Sequence, residues 1–365
     1  ENKKSTQKFP EEKTPSGGMW ILVLYAYHEA VHSRGNFEYF TSHGLLPPEA
    51  GDHVFSVNGH HDPASLGKLQ QKNNVLVLER TNSCFDFGSW GVGLVAAAKE
   101  FCGYEQHRDR SLLGTSFEGT AYGAPQTQRN ASSAQQETSS GSSLQSLLLR
   151  SQALAEALVS RYSYFVFMND SVLGPFLPLY ERRPWWELVT TRLGGSHRVG
   201  LVGTTINCLR GRAFPKHHHI HLQSMFLATS GDALRDVVLP EGLLECKRTK
   251  SDAIINGEIK TSKAMIDKNY SLASAELAFH GTLPPGGIIT PTAVRGHGPE
   301  RQRLHVLCEK TSNNGHGGDI IYENAYAGID VNPLEVIFFK ATRFKGNDTG
   351  KKIIDRYAEW TNRRT

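Results

Sequence analysis

The sequence predicts an α/β fold, a largely parallel mixed sheet flanked by helices, and three observations lead to it. The run Tyr164-Phe165-Val166-Phe167-Met168 is aromatic and aliphatic throughout and bounded by polar residues, the pattern of a strand buried on both faces. That strand changes abruptly to Asn169-Asp170-Ser171, and Gly174-Pro175 blocks its continuation. Strand-like and helix-like segments alternate before it at the spacing of helical crossovers. Open sheets of this Rossmann-like kind bind ligands beyond the carboxyl ends of their strands, so chemistry is expected at the Asn-Asp-Ser tip.

Residues 1–18, rich in Lys, Glu, Ser and Pro, read as a disordered leader or stem. Trp20 to Tyr27 is a first buried strand with His28-Glu29 at its end. A short helix follows from Asn36, with Phe37 and Phe40 on its apolar side and Gly44 as its stop. His53 to Gly59 and Asn74 to Arg80 are two more strands. Asn82, Asp86, Phe87, Gly88 and Trp90 then lead into a Gly- and Ala-rich helix over 91–101. Residues 103–143 are rich in Ser, Gly, Gln and Thr and read as a disordered surface insertion. Leu144 to Arg161 is an amphipathic helix that packs onto the 164–168 strand.

Pro184 opens a helix, and Arg198 to Thr205 is a strand. Leu222 to Thr229 reads as one strand with Leu222, Met225 and Leu227 facing inward. Helices are expected from Asp232 to Leu239 and over 251–269, where Ile254, Ile255, Ile259, Ala264 and Ile266 take the apolar positions. The 280–318 segment, rich in Gly, Pro and His, reads as loop with one short strand at 304–307. A buried segment at 334–340 and a helix over 353–360 close the chain. The expected organisation is a single domain over 19–345, with halves 19–180 and 181–345, followed by a C-terminal helix and tail over 346–365.

Composition excludes several classes. A net charge of +4, from 40 basic and 36 acidic residues, is too small to indicate a nucleic-acid partner. Five cysteines, at 84, 102, 208, 246 and 308, form no CxxC pair; the chain is not a disulfide scaffold, though one or two bridges fit the count. No run of 18 apolar residues occurs, so a membrane is expected only through a segment outside this chain. The start at Glu1 rather than Met is what removal of a targeting or anchoring segment leaves. With such an anchor the protein belongs to the Golgi or secretory lumen or to a membrane surface, and without one to the cytoplasm. Asn-X-Ser/Thr occurs at Asn130, Asn169, Asn269 and Asn347, and Asn169, at the end of a buried strand, is a poor glycan acceptor.

Asp170, between Asn169 and Ser171, offers hard oxygen ligands that suit Mg²⁺ or Mn²⁺ bridging a diphosphate. The bland alternative is a turn capped by the same side chains. Asp86 and Gly88 lie between a strand and a helix, where a nucleobase or ribose is met, or where Asp86 or Ser89 caps the helix. Asp86-Phe87-Gly88 also spells a kinase magnesium motif, but the other kinase elements are missing. His217, His219 and His221 have the spacing of metal ligands on one strand face, with solvated loop histidines as the common alternative. Glu258 suits a catalytic base or a helix-dipole partner at a helix start. Lys340 and Arg343 would hold a leaving diphosphate by charge, or are ordinary surface cations.

Together these segments resemble the rhamnan synthesis protein F family of glycosyltransferases. The resemblance is carried, in that family's order, by Asp86-Phe-Gly-Ser-Trp, Phe167-Met-Asn-Asp-Ser-Val-Leu-Gly-Pro and His221-Leu-Gln-Ser-Met-Phe-Leu, then by Gly257-Glu-Ile-Lys-Thr-Ser with Lys268-Asn269-Tyr270, and Pro333-Leu-Glu-Val-Ile-Phe-Phe-Lys. It covers about residues 20–345 without the insertion and the 280–318 loop. It implies a GT-A-like fold that moves a sugar, rhamnose or another hexose, from a nucleotide-diphosphate donor to a glycan or glycoprotein acceptor. Where metal-dependent GT-A enzymes carry Asp-x-Asp, this chain has Asn169-Asp170-Ser171, and where the family often has Trp-Gly-Leu-Thr it has Val202-Gly-Thr-Thr. The expected roles are Asp86 at the base or ribose, Asp170 at the diphosphate with or without a divalent ion, and Glu258 as base. His221 would position the leaving group or acceptor, and Lys340 and Arg343 would stabilise the departing nucleotide. The rivals are a non-catalytic glycan- or nucleotide-binding protein on the same fold and a histidine-based zinc hydrolase.

Overall fold

The computed structural model describes residues 20–67, 69–104, 140–209, 219–276, 280, 287–312, 319, 322, 331–341 and 348–362. The leader over 1–18, most of the 103–143 insertion, Asn130, His217, His218, Arg343 and Asn347 lie outside the described residues.

The first half is built as the periodicity predicts. β1 (Ile21–Tyr27) pairs in parallel with β2 (Gly51–Asn58), and β2 with β3 (Val75–Arg80). α1 (Val31–His43) and the short α2 (Pro63–Leu66) connect them. α3 (Phe85–Cys102) and α4 (Ser140–Val159) precede β4 (Tyr164–Asn169), which joins the other side of β1 in parallel. β5 (Val172–Leu173), a cis Gly174-Pro175 bond and α5 (Trp185–Thr190) follow. β1 is buried along its whole length, which is why it reads as an unbroken apolar run rather than an alternating one. β2 is buried throughout as well but carries the buried polar residues Asp52, His53, Ser56 and Asn58.

The second half reverses direction. β6 (Val199–Gly203) is followed by a separate hairpin of β7 (Ile206–Leu209) and β8 (His219–Leu222). β9 (Phe226–Ser230) then runs antiparallel between β4 and β6. A helical run follows, α6 (Gly231–Ala233) continuing as a π-helical Leu234–Val238. A second comprises α7 (Lys250–Asp252), a π-helical Ala253–Ile259 and α8 (Lys260–Asp267). β10 (Ser271–Ser274) lies parallel to β6, with β11 (Ile288–Ile289) antiparallel at the edge. α9 (Pro291–Arg295), α10 (Pro299–Ser312), α11 (Pro333–Val336), β12 (Phe339–Lys340) and α12 (Asp348–Asn362) complete the described chain.

The eight-stranded sheet has the order β11-β10-β6-β9-β4-β1-β2-β3. All but β9 and β11 point the same way, so their carboxyl ends share one edge. The fold is the largely parallel α/β sheet flanked by helices that the sequence predicts. An aromatic layer of Tyr25, Phe37, Phe40 and Phe55 fills the space between sheet and α1. It continues through Trp185 and Phe338 to Phe226, joining the two halves in one core.

Four expectations are corrected. Leu222 to Thr229 is two strands, because the chain turns at Ser224 and Met225 between pairing with β7 and pairing with β4. Residues 304–307 are helical: Leu304, Leu307 and Cys308 are buried at the i, i+3, i+4 spacing of one helix face, although the surrounding composition is loop-like. α3 begins at Phe85, with Cys84 at the cap position, so Asp86 sits in its first turn and neither Asp86 nor Ser89 is the cap. Ile255, expected on an apolar face, is exposed.

Candidate active site

The tip of β4 reaches the carboxyl edge next to the end of β1. The backbone N–H of Asp170 donates to Ala26 O, and the N–H of His28, just past β1, donates to Asp170 Oδ2 at 2.6 Å. Asn36 of α1 donates its amide to Asp170 O at 2.7 Å. Asp170 is thus fixed by backbone and amide groups. Burial pushes its carboxyl up to about 7, the His28 N–H pulls the other way, and the nearby charge of Asp86 adds to the rise.

Asp86 arrives from the opposite direction on α3. Its Oδ2 accepts from Asn169 Nδ2 at 2.6 Å, while Asn169 Oδ1 accepts from both the N–H and the hydroxyl of Ser171. Burial raises the Asp86 carboxyl to about 6, the Asn169 amide opposes this, and Glu258 adds like-charge repulsion. α3 is clamped in place here: Trp90 donates to Met168 O at 3.0 Å, and Cys84 is disulfide-bonded to Cys246. Gly88 serves this packing, since a Cβ on it would lie 2.4 Å from Cys84 Cβ and 3.3 Å from Cys246 Cα. No ligand contact is needed to explain it.

Glu258 joins from the second half. Gly257 lies so close to Phe87 that a Cβ would stand 2.6 Å from the ring, which brings the Gly257-Glu258 turn of helix against the start of α3. Glu258 Oε2 accepts from Ser224 Oγ at 2.7 Å, and Oε1 lies 3.1 Å from His221 Nε2. Burial pushes this carboxyl up, but the bonds from His221 and Ser224 and the charge of Lys340 outweigh it and hold it below the usual range. Glu258 is in the middle of a continuous helical run, not at a helix start, so the helix-dipole alternative falls.

Lys340 is delivered by β12, which pairs antiparallel with β5 and sets Lys340 opposite Val172. Ala341 N–H donates to Ser171 O at 2.8 Å. Lys340 Nζ is 3.9 Å from Asp319, which accepts from Gln223 Nε2, and Gln223 in turn accepts from Thr205. Among the candidate residues, Asp86, Gly88, Asn169, Asp170, Ser171, His221, Glu258 and Lys340 therefore gather at one edge of the sheet, and Arg343 lies outside the described residues. No group of three or more His, Cys, Asp or Glu side chains arranged for a metal occurs among the described residues, and His217 of the histidine triad lies outside them.

Sequence reasoning missed two contributors, His28 and Ser224, and a buried acid, Glu276, further along the same edge of the sheet. His28 closes the Asp170 side and, with Glu29, Arg34 and His60, lines a cavity of about 400 Å³ beside it. Glu276, just past β10, is fully buried. One of its oxygens accepts from Ile206 N–H at 2.7 Å, and the other has no hydrogen-bond partner. Burial, with Glu335 nearby, raises its carboxyl far above the usual range. The polar residues after a short strand were the available signal, but Ser271–Ser274 was not read as one. Ser224 orients Glu258, and its place in the His221-Leu-Gln-Ser-Met-Phe-Leu motif was the available signal.

No family model matches the chain, and no curated protein does. Among solved structures, the chain is similar to the WbbM bifunctional glycosyltransferase in its apo form, with TM-score 0.28 and 10% identity over 66% of this chain and 36% of that one. The matched region thus spans about a third of the WbbM chain. It is also similar to mouse xyloside xylosyltransferase 1 in its apo form, with TM-score 0.30 and 11% identity over 71% of this chain and 86% of that one. Likenesses this distant assign no chemistry.

Proposed function

We propose that the chain is a glycosyltransferase that moves a sugar from a nucleotide-diphosphate donor to a glycan hydroxyl, as the resemblance to the rhamnan synthesis F-like enzymes implies. The observation that carries this is the convergence of Asp170, Asp86, Glu258 and Lys340 at the carboxyl edge of the sheet from four separate parts of the chain. Open α/β sheets bind nucleotides at that edge. The base and ribose are assigned to the cavity lined by His28, Glu29, Arg34 and His60, because the half-buried Asp86 carboxylate is already bonded to Asn169. Asp86 then becomes the second carboxylate at the diphosphate end.

A divalent Mg²⁺ or Mn²⁺ suits this pair. Two desolvated carboxylates that repel one another are relieved by a cation, and such ions use one or two carboxylates together with substrate phosphates. Asp170 and Asp86 would hold it, and its chemistry would be to neutralise charge on the leaving diphosphate. Lys340 adds positive charge from the other side. In an inverting displacement the anomeric carbon–phosphate oxygen bond breaks as the acceptor oxygen bonds to that carbon. The acceptor proton passes to Glu258, which His221 and Ser224 orient and keep ionised. The nucleoside diphosphate departs.

The test is thermal stabilisation by UDP, GDP, dTDP and CMP, each with and without Mn²⁺, followed by hydrolysis of the matching sugar donor. A raised melting temperature with one nucleotide and slow donor hydrolysis is expected. Stabilisation without hydrolysis would instead indicate a binding protein on this fold, and no response to any nucleotide would overturn the proposal.

A further inference from the structure

Two features on different parts of the molecule bear on where it matures. Cys84 is bonded to Cys246 and Cys208 to Cys308, leaving Cys102 as the free cysteine. Cys208 and Cys308 are fully buried, and their bond ties β7 to α10. Paired cysteines in the body of a fold are a mark of oxidising compartments and are rare where glutathione keeps thiols reduced. The second feature is the pair of Asn-X-Ser sites within the described residues. Asn169 is buried and its Nδ2 is committed to Asp86 at 2.6 Å. Asn269, in Asn269-Tyr270-Ser271, is exposed in a left-handed turn at φ 61°, between α8 and β10.

We infer that the chain passes through an oxidising secretory compartment and carries an N-linked glycan on Asn269 and none on Asn169. Attachment bonds Asn269 Nδ2 to the anomeric carbon of a lipid-diphosphate-linked oligosaccharide. The bond from that carbon to the phosphate oxygen breaks, the lipid diphosphate leaves, and one amide proton goes to the transferring enzyme. The local geometry tolerates the product. Asn269 is held through its Oδ1, which accepts from Arg295 Nη2 at 2.5 Å, and the modified nitrogen is not the atom in that bond. The Ser271 hydroxyl, which the acceptor motif requires, donates to His197 O in the folded chain, so transfer precedes closure of β10 onto β6. A glycan placed on Asn169 at that stage would keep its amide from the buried bond to Asp86 and block closure of the β4 tip, so folded product carries none there. Asn269 also lies at the start of β10, on the edge of the sheet opposite Asp170, where a glycan leaves the candidate site open.

The inference does not depend on the proposed transferase activity. It is tested on the full chain secreted from a eukaryotic cell, with site mapping by peptide after amidase release of N-glycans, which converts each occupied Asn to Asp. Conversion at Asn269 and none at Asn169 is expected, with Asn130 and Asn347 read on separate peptides. Asn269→Asp removes the acceptor amide while keeping a residue tolerated in the left-handed turn, and should lose that glycan with its melting temperature unchanged. An unmodified Asn269 in folded product, a glycan on Asn169, or alkylation of all five cysteines without reduction would each overturn the inference.

Discussion

Two carboxylates at opposite edges of the same sheet, Asp52 buried and Asp170 half-buried, are treated in opposite ways. Asp52, near the start of β2, accepts from Arg161 Nη2 at 2.8 Å, from Arg161 Nε at 3.1 Å and from the Tyr162 hydroxyl at 2.7 Å. Its charge is met by a guanidinium that also lies over the Trp20 ring. Asp170, past the end of β4, has the His28 N–H and a second carboxylate as its surroundings. The amino edge closes its polar groups into a structural network, whereas at the carboxyl edge Asp170 and Asp86 stand close together and neither has an ion pair among the described residues. A charge buried without a counter-ion is costly and persists where something else supplies the counter-charge.

The contrast breaks most sharply with paired substitutions. Asp170→Ala should lower donor turnover on the order of 10²–10³-fold while the melting temperature holds, because the residue removed is a charge the fold does not need. Unchanged turnover in that variant would end its assignment to the diphosphate. Asp52→Ala should do the reverse, costing about 2 kcal/mol in denaturant unfolding with turnover intact, since it strips Arg161 and Tyr162 of their shared acceptor. A loss of activity at unchanged stability would erase the distinction between the edges.

A smaller effect sharpens the comparison through pH. The carboxyls of Asp86 and Asp170 stand near 6 and 7 in the folded chain, above the ordinary 3.8. Their contribution to stability is full below 3.8 and is lost as pH rises through those values. Without divalent ions, unfolding titrations should show stability falling across that window by at most about 1.4 kcal/mol per pH unit per group, less for Asp170, which keeps some solvent contact. Asp86→Asn with Asp170→Asn should flatten most of the slope, and Glu276, raised in the same direction, would leave a remainder at higher pH. A slope indifferent to both substitutions would place the titrating charge elsewhere.

The parallel framework was legible because a doubly buried strand leaves an unbroken apolar run. β1 and β4 announced themselves this way, and the residues after β4 followed from the direction of the sheet. What the sequence hid was long-range contact. Nothing local ties Cys84 to Cys246, at a separation of 162 residues, or tells that Gly257 is small because Phe87 presses on it. Helix α10 was masked by neighbouring Gly, Pro and His, although Leu304, Leu307 and Cys308 keep helical spacing. Glu258 was found, and the helix expected over 251–269 places it in mid-helix as observed; only the separate reading of a helix start at Glu258 does not hold.

The antiparallel course of β9 has a consequence for how such a chain is searched. Parallel strands meet the working edge with their last residues, so the useful side chains come after them, as Asp170 does. A strand running the other way meets that edge with its first residues, and its contribution stands before it. Met225, the residue preceding β9, accepts from Asn169 N–H, and the two residues ahead of it serve separate arms of the site, Ser224 holding Glu258 and Gln223 holding Asp319. One reversed strand thus turns a short connecting turn into a hub, and it does so upstream of the strand rather than downstream.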